Sequence, residues 1–357
     1  MPNVVSSKEE IDVSESDLRT SMPKVLETLL VDHSTMKNIY WATDDYAAFG
    51  SGFSFFDPIL PQLITGPQFG TVIRPRVLKD KETQTSRSKS MAEVFTPSWI
   101  CNKQNNLIDE AWFGRPNVFN VETDNSDGSH SWETVTDKIE FPDEKSWTDY
   151  VKDVRLEISC GEGPYLVSRY DTTTGNPIPV AQRIGLLDRK LRIVSENTPH
   201  EPTAENKEAW RDMAYTALQS TYGFEWQGDS LLLAREAALF TFIEHYHAHF
   251  GELPREDTIN HAAYIIACNL WQMDGLKGVL PRSCEQALPK PKNVQLSLDL
   301  GDDLSEPTET TKSPCTCQAC EKGGIRGHIG AYALIHDWMK PRKSKNFKVK
   351  FVDLMGR

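Results

Sequence analysis

The sequence predicts an α/β protein with a mostly parallel sheet, preceded by an N-terminal accessory segment. Three observations carry this expectation. A compact strand, Arg155 to Ser159, runs into a glycine-rich turn. Strand and helix patterns then alternate as far as Met273, as an open doubly wound sheet requires. The 357-residue chain is 39% hydrophobic and 25% charged, an ordinary globular composition with enough apolar residues for a sizeable core.

In chain order, residues 1–90 make the accessory segment. It carries a helix around Val25, Leu26, Leu29 and Leu30, then an aromatic stretch, Tyr40 to Pro75, punctuated by glycine and proline. Residues 79–89 are charged and polar. From Ala92 the pattern turns amphipathic, and a helix beginning after Thr96-Pro97 places Trp99, Ile100, Leu107, Ile108, Ala111 and Trp112 at helical spacing. The acid-rich residues 117–143 form a surface insertion, and Trp147, Tyr150 and Val151 mark a short helix before the first strand. Helical patterns at Ile184 to Val194 and Trp210 to Leu218 lead to a strand ending at Tyr222-Gly223-Phe224-Glu225. A long helix, Ser230 to Phe250, precedes the apolar run Tyr264 to Met273, which reads as a buried parallel strand. The main domain therefore spans residues 91–284. An acidic linker, 285–314, joins it to a cysteine-containing basic segment, 315–357, that ends in the strand-like KVKFVDL.

A net charge of −12 argues against nonspecific coating of nucleic acid, though not against a local basic face. Lys340, Arg342, Lys343, Lys345, Lys348 and Lys350 are the one such concentration, either a phosphate contact or a solvated terminus. No apolar run reaches the roughly 18 residues of a bilayer span, and the amino terminus is acidic where a signal peptide is basic and then apolar. A cytoplasmic protein with no membrane association is expected, its seven cysteines reduced. Cys315-x-Cys317-x-x-Cys320 with His328 has the composition of a small zinc site, His336 being the alternative fourth ligand. Ordinary reduced cysteines are the competing reading. His245, His247 and His249 point in different directions on a helix and are read as surface residues.

The most informative string is Leu156 to Tyr165, LEISCGEGPY. A short strand entering Gly161-x-Gly163 lets the backbone approach a ligand closely, with amide donors free at the turn. A lone Gly-x-Gly is equally a plain structural turn. The longer string resembles the cofactor motif D-P-A-C-G-S-G-x-F-L of adenine-N6 DNA methyltransferases: Cys160, Gly161, Gly163 and Leu166 match, Tyr165 replaces the aromatic, and Glu157 replaces Asp. Upstream, Phe95-Thr96-Pro97 resembles the family's F/Y-T-P element. Tyr222-Gly223-Phe224-Glu225 is similar to its second-strand motif, and Asp274-Gly275-Leu276 to its third-strand motif, with Met273 in place of Gly.

The resemblance implies a Rossmann-like methyltransferase fold that binds S-adenosylmethionine. Phe95 and Thr96 would close over the methionine end, and Glu157 would face the ammonium group beside Cys160, Gly161 and Gly163. Glu225 would accept the ribose hydroxyls, Trp226 would flank the adenine ring, and Asp274 would take its amino group. DNA is the implied substrate, within a restriction-modification or related defence system, with a restriction or second methyltransferase subunit as an implied partner. The family's N/D-P-P-Y/F motif, which grips the target amine, is missing. Asn176-Pro177-Ile178-Pro179 is the nearest string and reads as a loop. Three explanations stay open: a cofactor-binding half whose catalytic motif lies on another polypeptide, a noncatalytic subunit that binds cofactor, DNA or a partner, or an enzyme with a divergent motif. Methylation of a substrate other than DNA is a further alternative.

Overall fold

The structure is a computed structural model that describes residues 11–91, 96–288, 316–345 and 347–355. It is an α/β protein with twelve α-helices and several small sheets among the described residues, one of them parallel. Phe95, Cys315 and most of the acidic linker lie outside those residues.

The accessory segment opens with α1 (Glu15–Ser21), capped by the Ser14 hydroxyl, and α2 (Pro23–Leu30), which starts on proline. α2 buries the expected stripe of Val25, Leu26, Leu29 and Leu30. A small hairpin of β1 (Val31–Asp32) and β2 (Lys37–Asn38) follows, then α3 (Gly66–Phe69) and α4 (Lys81–Met91). This segment shares one apolar cluster with the helices of the following domain, running from Val13 through Trp41 to Leu270.

α5 (Ser98–Phe113) starts where Thr96-Pro97 predicts, and ends on Gly114 in the left-handed conformation that glycine favours. The acid-rich insertion is an antiparallel hairpin, β3 (Asn120–Asp124) and β4 (His130–Thr134). α6 (Trp147–Lys152) carries a capping box of Ser146 and Asp149 and leads into β5 (Arg155–Ile158). α7 (Leu186–Glu196) and α8 (Ala204–Gln219) precede β6 (Thr221–Glu225). α9 (Gly228–Phe250) and α10 (Glu256–Asn269) precede β7 (Leu270–Gln272). β5, β6 and β7 form a parallel sheet in that order, with Leu156 opposite Tyr222 and Phe224 opposite Trp271.

Two expectations change. The run Tyr264 to Met273 is mostly helix: α10 continues to Asn269, and the strand takes only Leu270 to Gln272. A buried helix and a buried strand are both apolar all round, so composition cannot place the switch. Asn269 makes it, its side-chain amide donating to Leu218 O (2.9 Å), Gln219 O (3.0 Å) and Thr221 O (3.2 Å). Nor are two of the three histidines of α9 on the surface, His247 alone being partly exposed. His245 and His249 are buried, with Nε2 of His245 3.1 Å from Asp188 Oδ1, because neighbours enclose this helix on nearly every side.

The two edges of the parallel sheet differ. At β7 the Gln272 side chain pairs with the accessory segment, accepting from Tyr40 N (3.1 Å) and donating to Tyr40 O (2.8 Å). β5 forms the other edge. Beyond β7, α11 (Ser283–Gln286) and α12 (Gln318–Glu321) lead to an antiparallel hairpin of β8 (Leu334–His336) and β9 (Lys348–Lys350). Ala333 and Ile335 pack on Phe224, Trp271 and Met273, so the C-terminal segment covers β6 and β7 on one face. On that face β5 is largely uncovered among the described residues: Val154, just before the strand, and Leu156 and Ile158 within it are 64%, 42% and 68% exposed.

Candidate functional site

A cavity of about 560 Å³ opens at the carboxyl ends of β5 and β6, within the size range of small-molecule sites. After Ile158 the chain turns sharply through Ser159 (φ 51°), Gly161 (φ 54°) and Gly163 (φ 78°). A Cβ on Gly161 would meet nothing within 4 Å, so its glycine answers to backbone conformation and to the open space above it. A non-glycine residue in the left-handed region, Ser159, is a mark of local strain at the mouth of a cleft.

Six residues singled out in the sequence line this cavity: Thr96, Glu157, Cys160, Gly161, Glu225 and Trp226. Glu225, at the tip of β6, accepts from Gly161 N (2.8 Å) and Gln227 N (3.1 Å), which ties the two strand ends together. Glu157 accepts from Leu166 N at 3.2 Å and Tyr165 N at 3.4 Å, closing the turn from below. Burial pushes both carboxyls above the ordinary carboxylate range, against the pull of those backbone amides. The charge of Glu225 raises Glu157 further. Burial likewise raises the Cys160 thiol, which therefore stays protonated and packs as a small apolar group.

Gly163 lies outside the cavity lining, where a Cβ would touch Ala234 at 3.6 Å, so it serves the packing of the turn on α9. Asp274 is not brought to the cavity. It is buried beyond β7, accepts from Leu276 N (3.0 Å) and pairs with Lys277 (3.3 Å). Thr96 lines the cavity but does not cap α5. Its carbonyl accepts from the Thr172 hydroxyl (3.0 Å), while Asp171 receives the Ser98 amide (3.0 Å). Sequence reasoning missed other parts of the lining, among them Asn105 and Ile108 of α5, Leu156 and Ile158 of β5, and Gln227. Asn105 donates to Tyr165 O and Ile184 O, both at 3.0 Å, and so fixes α5 against the turn. A polar residue on the inner face of the amphipathic helix was the available signal.

A second constellation lies away from the cleft. Cys284, Cys317, Cys320 and His328 bring their ligand atoms within 4.8 Å of one another. Three of these were expected. The fourth is Cys284 of α11, a residue that local spacing around Cys317-x-x-Cys320 could not reveal. Cys315, expected in its place, lies outside the described residues.

The basic tail is partly engaged: Lys348 Nζ donates to His33 O (3.0 Å), and Arg342 and Lys350 lie over the Tyr264 and Tyr332 rings. Among the described residues no helix is long and apolar enough to cross a membrane. No family model matches the chain, and neither a curated protein nor a solved structure does.

Proposed function

We propose that this chain is the S-adenosylmethionine-binding part of an adenine-N6 DNA methyltransferase, a modification subunit of a restriction-modification or related defence system. The observation that carries this reading is the cleft itself. A glycine turn follows one parallel strand, a carboxylate stands at the tip of the next, and both border a single cavity at the carboxyl ends of the strands, where open α/β sheets bind nucleotides. Glu225 would hold the ribose hydroxyls in exchange for its present amide partners. Gly161 would let the backbone approach the ligand, Trp226 would flank the adenine ring, and Thr96 with Glu157 would meet the methionine end. S-adenosylmethionine supplies a methyl group activated by its sulfonium. The chain's own residues bind and orient it.

A specific observation favours the split form of this reading. In a doubly wound sheet the first strand is central, and the ligand crevice opens where the chain passes to its other side. Here β5 is an outer strand, and Leu156 and Ile158, which line the cavity, are exposed. Parallel strands are normally covered on both faces. The residues that grip the target amine would therefore come from a second polypeptide that continues the sheet beyond β5.

Calorimetry with S-adenosylmethionine tests the cofactor assignment. Wild type binds, and Glu225→Ala weakens binding at least about tenfold, since two charge-assisted hydrogen bonds are lost. A folded wild-type protein with no detectable binding would end the assignment. Labelled methyl transfer to DNA by the chain alone would overturn the split form and leave the methyltransferase reading standing.

A further inference from the structure

We propose that Cys284, Cys317, Cys320 and His328 bind one structural zinc ion, which fastens the C-terminal segment to the loop leaving the parallel sheet. The argument is geometric. The Sγ atoms of Cys284, Cys317 and Cys320 lie 3.6, 3.7 and 3.5 Å from a single atom, Nδ1 of His328. That nitrogen has one site for a hydrogen bond, so three thiols cannot all be satisfied by it. A cation at the centre satisfies all four groups. With Zn–S near 2.3 Å and Zn–N near 2.05 Å, a tetrahedron places sulfur and nitrogen about 3.6 Å apart, which is the observed spacing.

The histidine is set up for this role. Its Nε2 lies 2.8 Å from Gly324 O, so the Nε2 proton is engaged there and the Nδ1 lone pair turns toward the sulfurs. Cys284, Cys317 and His328 are buried, at 6%, 5% and 7% exposure. Thiolates with imidazole select zinc over the hard cations, and four protein ligands leave no open position, which marks a structural site.

The location gives the ion its work. Cys284 belongs to α11, reached by the loop after β7, and the other ligands to the segment that precedes β8. The apolar cluster between them holds only four buried residues, Val279, Cys284, Cys317 and Ala319, so a metal ion would add substantially to the join. Leu280 N bonds to Ala331 O (2.8 Å) and Ala333 N to Gly278 O (3.0 Å), which continues the join into the hairpin over Phe224 and Trp271. The site stands independently of the cofactor reading, because every residue lining the cleft precedes Leu231.

The test is the metal content of the full chain, purified without chelator and measured by plasma mass spectrometry. One zinc per chain is expected, with Cys315→Ala retaining it and Cys284→Ser losing it. Apo protein titrated with cobalt should develop the intense visible bands of a tetrahedral thiolate site, a readout that needs no variant to fold. A folded wild-type chain with neither zinc nor those bands overturns the proposal. Loss of metal in Cys315→Ala with retention in Cys284→Ser overturns the ligand set.

Discussion

Asp12 shows how a single carboxyl can tie stability to pH. Burial pushes it from the usual 3.8 up to about 6, and the charges of Arg74, Arg169 and Lys79 with the Val13 amide only partly offset this. The folded state therefore prefers the protonated form. The corresponding stability is complete below pH about 4, declines as pH rises toward 6, and is gone above it. Asp12→Asn should leave stability unchanged at pH 4 and raise it by about 1–3 kcal/mol above pH 7, read as a difference in unfolding midpoint against pH. A gain that does not vary with pH would remove desolvation as its cause. At this scale, what the sequence revealed depended on locality. Gly161, Glu157 and Cys160 fall within one short string, and Glu225 ends an obvious strand, so their meeting at one cavity was legible. Asp274 closely follows a strand as well, but its carboxylate turns to its own loop, to the Leu276 amide and Lys277. Residue type and spacing carry no information on that rotation.

Among the elements, the helix-to-strand passage at Asn269 is the sharpest case. One side chain satisfies three carbonyls at the entrance to β6 and accepts the Trp338 indole N–H at 2.8 Å. Asn269→Ala leaves those buried groups unpaired and should cost about 2–3 kcal/mol, measurable by urea unfolding with an unchanged slope. A loss under about 0.5 kcal/mol would mean that water replaces the amide there. Helices α5, α6, α8 and α9 and the first two strands of the sheet were legible because their periodicity and caps agree: Thr203 caps α8, Ser146 caps α6, and glycines close α5 and α9, whereas α10 reads as a strand from Tyr264 on. The third strand was not, since three buried residues after a buried helix leave no change of pattern to read. The charged stretch that became α4 hid its role for another reason. Its Arg87, with Lys79 just ahead of the helix, pairs with Asp229 at the start of α9, at 2.9 and 3.5 Å, a contact between residues far apart in the chain.

For the molecule as a whole, the main surprise is how deeply the first segment enters the core. Arg235, fully buried on α9, donates to Leu29 O and Val31 O on one side and to Leu270 O and Ala267 O on the other. Segment and domain are thus joined by buried polar bonds as well as by the apolar cluster, which no reading of composition along the chain could anticipate. The open side of the sheet belongs to this scale too. If a second polypeptide extends it, Val154→Asp, at an exposed position just before β5 that does not line the cleft, should abolish methyl transfer by the assembled enzyme. Binding of S-adenosylmethionine to this chain alone should change less than about threefold, because the ribose and turn contacts are untouched. Full transfer activity in that variant would argue that nothing docks on β5.

The bare strand also bears on how the protein must be made. The N–H and C=O groups that the parallel ladder with β6 leaves unused, at Leu156 and Ile158, form a short template flanked by exposed apolar side chains. Edges of this kind recruit whatever strand arrives first. On the split form proposed above, synthesis in step with a sheathing partner would keep the chain dispersed, and overproduction of this chain alone would be expected to give sheet-rich aggregates, read by light scattering and a sheet-binding dye.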